Sequence, residues 1–132
     1  PPTFSDRIVI LVDTSVWIDH LRAGDAQLAV LLERSAVTMH PMVLGELACG
    51  NLKDRDMFLA LWRNLRQLTA ATDVEALFFL KRNHLWGRGI GYIDVHLLAA
   101  VSLNAGARLW TRDRRLGKIA EHLGLAFSEP DA

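Results

Sequence analysis

The strongest constraint on the fold is the alternation of five short strand-like runs with segments of helical pattern. The runs cover residues 8–12, 36–39, 67–69, 108–111 and 125–127. Strands that alternate with helices along a chain are typical of an α/β fold with a mostly parallel sheet. The first run, IVILV, is uninterrupted and rich in β-branched residues, which favours a strand buried on both faces. We therefore predict a small, mostly parallel central sheet flanked by helices.

Helical patterns fill the segments between these runs. They cover residues 14–21, 26–34, 41–49, 53–65, 73–83, 92–104 and 114–123. Pro41 suits the first turn of its helix, and Asp73 is expected to cap the start of another. In segment 53–65, Met57, Leu61 and Leu65 are spaced four apart, which predicts that they form its apolar face.

The length of 132 residues fits a single domain, predicted to span residues 1–132 with an irregular segment at 1–7. No apolar run approaches the ~18 residues that a membrane helix needs. The opening PPTFSDR lacks the apolar core of a secretory signal. Cys49 is the only cysteine and cannot form an internal disulfide, which suits a reducing compartment. These features predict a cytoplasmic protein.

Two aspartates stand at the ends of predicted strands. Asp13 follows the first run directly, and Asp113 follows the strand-like segment RLWT with one residue between. Because sites in open parallel sheets form outside the carboxyl ends of the strands, we expect these two carboxylates to meet at one edge. Each also has a simpler interpretation as the N-cap of the next helix.

Two further carboxylates interrupt apolar helices. Glu46 is the only charged residue in the segment MVLGELACG. Asp94 lies in the first turn of its predicted helix, with apolar residues at i+3, i+4 and i+7 on the same face. It is therefore expected to face inward or into a cleft. Alternatively, Asp94 only complements the helix dipole, and Glu46 lies on a solvated helix edge.

Four carboxylates that converge would repel one another. At about 4 Å, two of them repel by roughly 4 kcal/mol at an effective dielectric near 20. Such a cluster must be protonated or hold a cation. Oxygen ligands without a Cys or His cluster favour Mg²⁺ or Mn²⁺ over Zn²⁺, and such ions activate water for phosphodiester hydrolysis. The pattern predicts a metal site formed by Asp13, Glu46, Asp94 and Asp113.

The chain resembles the PIN-domain ribonucleases, and especially the VapC toxins of bacterial toxin–antitoxin pairs. The resemblance is carried by LVDTSVWID, GELACG, YIDVHLLAA and LWTRDRRL, in this order, and covers roughly residues 8–127. It implies a three-layer α/β/α fold and a Mg²⁺- or Mn²⁺-dependent endoribonuclease that acts as a toxin. The four acidic positions of the family are matched in order by Asp13, Glu46, Asp94 and Asp113.

The resemblance also implies supporting groups and partners. Thr111 matches a hydroxyl position that supports the site, and Thr14 and Ser15 are expected to serve similarly. Many relatives carry another acidic residue after the fourth, whereas here arginines follow it, which leaves one or two ions per site open. The family further implies a homodimer, an RNA substrate and a VapB-like antitoxin that blocks the site.

Net charge gives no indication of a nucleic-acid partner, because Lys plus Arg and Asp plus Glu each number 15. Local charge does. The predicted contacts to RNA phosphates are Arg112, Arg114, Arg115 and Lys118, and the alternative is a solvated helix face. Trp62 and Trp86 are assigned to a surface for a second copy or the antitoxin.

Three other functions compete with a metal-dependent nuclease. One of the five histidines could act as a metal-free general base, although no two have tight ligand spacing. Aspartyl-phosphate chemistry also uses strand-end aspartates, but DTSVW lacks the second aspartate that such phosphatases need. The last alternative is a non-catalytic module that binds RNA or the antitoxin on the same fold.

Overall fold

The computed structural model describes residues 8–129, so the predicted irregular segment 1–7 lies outside the described residues. Within that range the chain forms four strands and seven helices. In chain order they are β1 (Val9–Val12), α1 (Thr14–Ala23), α2 (Ala26–Glu33), β2 (Val37–Met39), α3 (Pro41–Ala48), α4 (Arg55–Asn64), β3 (Arg66–Gln67), α5 (Asp73–Arg82), α6 (Tyr92–Leu103), β4 (Ala107–Trp110) and α7 (Arg114–His122).

The four strands form one parallel sheet in the order β3-β2-β1-β4, between layers of helices. This confirms the predicted α/β class and the three-layer architecture. β1 lies inside the sheet, and all four of its residues are buried, as its uninterrupted apolar sequence predicts. Val12 of β1 is paired with Trp110 of β4. The residues that follow these two strands therefore emerge side by side at the carboxyl edge.

The core includes most of α6, in which every residue from Val95 to Val101 is buried. A helix that is apolar all round can be stable only when other elements cover it on several sides. α6 packs against both α5 and β4, which fixes where its first turn, with Asp94, meets the sheet edge. None of the helices in residues 8–129 is long and apolar enough to cross a membrane.

The predicted apolar face of α4 is wrong. Met57 and Leu61 are 59% and 48% exposed, whereas Trp62 is fully buried and packs edge-on against Trp17 of α1, with ring centroids 5.9 Å apart. Phe58 stacks on Trp62 from one turn earlier. Two stripes of helical period compete in this sequence, and the aromatic one buries more apolar area. Trp62 is therefore a core residue and not part of a docking surface.

Two smaller expectations also need correction. Asp73 does not cap α5, because Thr72 is the N-cap and forms a reciprocal capping box with Glu75. Asp73 is instead the first residue of the helix, where its negative charge interacts favourably with the positive end of the helix dipole. The last predicted strand, 125–127, is reduced to a single parallel bridge between Ala126 and Leu109. It therefore extends the sheet next to β4 by one residue pair only.

His40 follows β2 and caps α3 in an unusual way. Its Nδ1 accepts a hydrogen bond from the backbone N–H of Met42 at 3.0 Å, which leaves the proton on Nε2. Nε2 is buried and has no hydrogen-bond partner within residues 8–129. Burial, and then the nearby His96, lower the pKa of His40 to about 4. The folded protein therefore holds this imidazole neutral.

We expect His40 to make the protein sensitive to acid. The unfolded chain protonates this imidazole near pH 6.5, whereas the folded chain does so near pH 4. Stability is therefore lost as the pH falls through this window, by about 2 kcal/mol at pH ~5. His40→Asn retains a capping oxygen but removes the titration. Urea unfolding of both proteins at pH ~7.5 and ~5 should show a smaller acid loss in the variant; equal losses would contradict this assignment.

Candidate active site

The carboxyl edge of β1 and β4 carries the centre of the candidate site. The backbone N–H of Asp13 still donates to the carbonyl of Trp110 at 2.9 Å, so the pairing of the two strands continues to this point. Beyond it, Thr111 Oγ1 donates to Asp13 Oδ2 at 2.7 Å across 98 residues of sequence. The sheet register thus places a carboxylate and a hydroxyl together at this edge.

A second hydroxyl secures the same carboxylate oxygen. Ser15 Oγ donates to Asp13 Oδ2 at 2.8 Å and accepts a bond from the backbone N–H of Arg112 at 3.0 Å. Asp13 is 7% exposed and its side chain makes no capping bond to α1, although it stands at the N-cap position. Asp13 is thus the N-cap residue by position, as the simpler interpretation expects, but its side chain does not form the cap. Its carboxylate is oriented by two hydroxyls instead.

Glu46 reaches the same region from α3. Its Oε1 accepts a hydrogen bond of 2.9 Å from Thr14 Oγ1, in the first turn of α1. The side chain is exposed, but it is not simply solvated, because this bond ties α3 to α1 directly beside Asp13. Each of the three hydroxyls singled out in the sequence therefore contacts a carboxylate of the predicted set.

Asp94 lies half-buried in the first turn of α6, where its Oδ2 accepts a bond of 3.1 Å from the backbone N–H of Gly91. The pKa of this carboxyl is raised, first by burial and then by the negative charges of Asp13, Asp113 and Glu46. Asp94 therefore lies within electrostatic range of the other three carboxylates. The structure brings together residues that are far apart in the sequence.

Asp113 combines two roles. It caps α7, because its Oδ1 accepts a bond of 2.9 Å from the backbone N–H of Leu116, as the simpler interpretation expects. It is also exposed, and its negative charge contributes to the raised pKa of Asp94. The capping bond uses only one of the two carboxylate oxygens, so the other is available for a second role.

The residues present fit a hard divalent cation by chemistry. The donors are carboxylate oxygens with hydroxyl support, which suit Mg²⁺ or Mn²⁺, and the pKa of Asp94 is raised first by burial and then by the three neighbouring negative charges. Among residues 8–129, however, no three His, Cys, Asp or Glu side chains already stand close enough to hold one ion. Mutual repulsion keeps such carboxylates apart, so a cation would have to draw them together.

Comparison with known proteins identifies the family. The PIN domain family matches residues 10–122, which is most of the chain. The chain belongs to the PIN-domain family. Two relatives, both named Ribonuclease VapC32 and found in two strains of Mycobacterium tuberculosis, are 50% identical over 121 residues, covering 92% of this chain and 98% of theirs. Within its family the chain is thus of the VapC type.

The fold comparison agrees with this assignment. The crystal structure of PAE2754 from Pyrobaculum aerophilum matches with a TM-score of 0.61, over 90% of this chain and 94% of that one. The sequences are only 15% identical, so this likeness concerns the PIN fold alone.

Arg112 does not have the role predicted for it. Its guanidinium forms ion pairs with Asp19, Asp25 and Glu129 and lies 5.4 Å from the ring centre of Trp110. These bonds, first to Glu129 and then to Asp25, raise the pKa of Arg112 further above its usual range. A guanidinium with three carboxylate partners has little capacity left for a phosphate. The expectation of an RNA contact is therefore withdrawn for Arg112.

The other three predicted phosphate contacts of this PIN domain stay accessible. Arg114, Arg115 and Lys118 are all exposed on α7, and none forms an ion pair within residues 8–129. Arg115 lies across the glycine-rich loop before α6. A Cβ at Gly89 would stand 2.6 Å from the Cδ and Nη1 atoms of Arg115. The absence of a side chain at Gly89 lets this arginine cross the loop.

One hydrogen-bonded cluster between α5 and the start of α6 was not predicted from the sequence. Asp73 Oδ1 accepts bonds from Tyr92 Oη at 2.7 Å and interacts with His96 Nε2 at 3.0 Å. The hydrogen bond from Tyr92, and then that from His96, lower the pKa of Asp73. Because Tyr92 and His96 flank Asp94 on α6, this cluster fixes the start of that helix. The i,i+4 spacing of Tyr92 and His96 is the sequence pattern that could have indicated this cluster.

Proposed function

We propose that this protein is a Mg²⁺- or Mn²⁺-dependent endoribonuclease and the toxin of a toxin–antitoxin pair. The observation that carries the proposal is the set of four carboxylates within electrostatic range, one of them oriented by two hydroxyls. Its PIN-domain relatives named Ribonuclease VapC32 support RNA as the substrate. The cation, one or two per site, would be held by Asp13, Glu46, Asp94 and Asp113.

The side chains have distinct roles in the proposed site. Ser15 and Thr111 fix the direction of the Asp13 carboxylate, and Thr14 does the same for Glu46. A divalent cation bound there supplies positive charge for the phosphate and lowers the pKa of water. The pKa of Asp94 is raised, so protonation of this carboxyl competes with cation binding at a higher pH than for an ordinary aspartate. Metal affinity should therefore decrease as the pH falls.

The proposal includes a VapB-like antitoxin, a second copy of this chain and a cytoplasmic location. The VapC name of the relatives supports the antitoxin. Exposed apolar side chains support protein partners: Val74 and Phe78 of α5 are 78% and 63% exposed, and Trp86 is 58% exposed. The lone, exposed Cys49 suits a reducing compartment.

The test is cleavage of a mixed RNA substrate by the purified protein, with Mg²⁺ or Mn²⁺ and with excess EDTA. We expect cleavage only with the metal, and its loss in Glu46→Gln. The matched control is Glu33→Gln at the end of α2, which removes the same charge away from the site. Full cleavage in EDTA would contradict the metal role. RNA binding without cleavage under any divalent ion would favour the non-catalytic alternative.

Gly89→Ala should reduce RNA cleavage, whereas Gly87→Ala should not. Both glycines have positive φ, 71° and 83° for Gly87 and Gly89, so each alanine costs about 1–2 kcal/mol of strain. Only at Gly89 does the new Cβ strike Arg115; at Gly87 nothing lies within 4 Å.

Because both variants strain the backbone similarly, the difference between their KM values for RNA reports the displacement of Arg115 alone. We expect Gly89→Ala to raise the KM for RNA by about fivefold, as for the loss of one phosphate contact. Thermal unfolding provides the check that both variants lose similar stability. Equal KM values for the two variants would remove Arg115 from the set of phosphate contacts.

A further inference from the structure

A groove leads away from the carboxylates along α1. It encloses about 440 Å³ between α1, α3 and the start of α4. Thr14 and Glu46, which are hydrogen-bonded to each other, line its inner end. Thr14, Ile18, Leu21 and Arg22 all line it, and their spacing is that of one helix face. The groove therefore runs about 12 Å from the candidate site to Arg22.

The floor of the groove is apolar, and its outer end is cationic. Ile18, Leu21, Leu52 and Phe58 form the floor, and Ile18 is 40% exposed. Phe58 is stacked on Trp62 behind it, which holds this ring rigid. Arg22 and Lys53 complete the lining, and within the described part of the chain neither forms an ion pair. Two uncompensated cations beside an apolar floor suit a ligand with flat faces and negative charge.

The rim that carries Lys53 is held in place. Arg55 donates to the carbonyls of Ala48 at 2.6 Å and Gly50 at 3.3 Å, which fixes the turn between α3 and α4. This turn presents Asn51 to the groove together with Lys53. An amide side chain can both donate to and accept from the edge of a base. The groove thus offers stacking surface, base-edge contacts and phosphate contacts within one formed site.

We propose that this groove is an RNA subsite, which takes the unpaired nucleotides next to the scissile phosphate. Their bases would lie on the apolar floor, and their phosphates would pair with Arg22 and Lys53. Aromatic and apolar platforms beside cations are how proteins bind single-stranded nucleic acid. The inference rests on the proposed ribonuclease function, since that function places a phosphate beside Thr14 and Glu46.

Continuity with the carboxylates distinguishes this groove from a larger one. The groove between α5 and α6 encloses about 680 Å³, and its lining includes Val74, Phe78 and Leu103 but none of the four carboxylates. The smaller groove begins at the site itself, and its free cations complement phosphate rather than an apolar partner.

The experiment measures RNA binding separately from cleavage. The parent protein is Asp94→Asn without divalent ions, and the probe is a short fluorescein-labelled single-stranded RNA of mixed sequence, followed by anisotropy at several salt concentrations. Ile18→Glu places a carboxylate in the groove. Its matched control is Val30→Glu on α2, a similarly exposed apolar residue (38%) outside the groove. The charge change is the same in both variants.

We expect Ile18→Glu to raise the Kd for RNA by at least about tenfold, and Val30→Glu by less than about twofold. Arg22→Gln should raise the Kd by about fivefold and reduce the salt slope by ~0.7, whereas Arg34→Gln, outside the groove, should not lower the affinity as much. A duplex of the same RNA should bind more weakly than the single strand, and Ile18→Glu and Val30→Glu should change its Kd equally.

Each outcome decides between the hypotheses. Equal RNA affinity of Ile18→Glu and Val30→Glu, or no binding by the parent protein at low salt, would overturn the subsite and leave the groove to a protein segment. If the wild-type protein cuts RNA with metal while Ile18→Glu binds and cuts normally, the subsite fails and the proposed function stands. If no RNA is cut but Ile18→Glu still loses binding, the proposed function fails and the RNA groove stands.

Discussion

Asp94→Asn is expected to abolish RNA cleavage and at the same time to stabilise the metal-free protein. Activity should fall at least roughly 100-fold, because one carboxylate of the proposed cation site is lost. Stability should rise by on the order of 1–2 kcal/mol, because a half-buried charge near three like charges is removed. Asparagine retains an oxygen that can accept the bond from the Gly91 N–H, so the helix start is preserved.

The pH dependence has a defined sign. The folded pKa of Asp94 is raised, so its ionisation costs stability as the pH rises through that value, and the wild type regains this stability in acid. The Asp94→Asn variant should lack this pH-dependent change in stability. Mg²⁺ or Mn²⁺ should raise the melting temperature of the wild type and not of the variant.

The matched control is Asp56→Asn, another carboxylate in the first turn of a helix but exposed and away from the site. That variant should lose a few tenths of a kcal/mol through the helix dipole and retain full cleavage. A stability loss in Asp94→Asn as large as in Asp56→Asn would mean that repulsion among the four carboxylates is not present.

Arg112→Met is expected to cost about 2 kcal/mol of stability and to reduce cleavage by about tenfold. Its guanidinium is 27% exposed and joins α1, the start of α2 and the chain near residue 129, so solvent screens part of the loss. Its backbone N–H bonds Ser15, and its neighbours Thr111 and Asp113 belong to the site. Loosening this segment should misdirect the Asp13 carboxylate.

Arg114→Met provides the comparison, since Arg114 is exposed and has no ion pair within residues 8–129. It should change stability by less than about 0.5 kcal/mol and act only on the KM for RNA. A double-mutant cycle of Arg112→Met with Glu129→Gln, measured by urea unfolding, tests the network directly. Additive losses would show that the ion pair between these residues contributes nothing.

The sequence was sufficient to predict that residues at two strand ends meet, because the carboxyl ends of parallel strands lie at one edge of the sheet. The predicted pair was Asp13 and Asp113; the structure pairs β1 with β4 and places Asp13 in contact with Thr111, two residues before Asp113. The positions of Glu46 and Asp94 followed from helix faces and from the resemblance to PIN domains. Apart from that resemblance, these inferences use local pattern and one general property of parallel sheets.

What could not be predicted depends on partners distant in the sequence. The charge run after Asp113 has the composition of a phosphate site, and nothing local reveals that Arg112 meets Asp25, 87 residues earlier. The buried face of α4 was misassigned for a similar reason. Two apolar stripes had helical period, and only the position of Trp17 on α1 decides that Trp62 is the buried residue. Competition between equally periodic patterns is resolved by packing.

The pairing of β1 with β4 sets the moment during synthesis at which the site can exist. Asp13 is among the first described residues to leave the ribosome, yet Thr111 and Asp113 are among the last. Until then the central strand lacks one neighbour, and the Asp13 carboxylate lacks its threonine donor. A nascent or prematurely terminated chain that ends before Thr111 therefore cannot form this contact, so any activity requires synthesis through β4 and the residues that follow it.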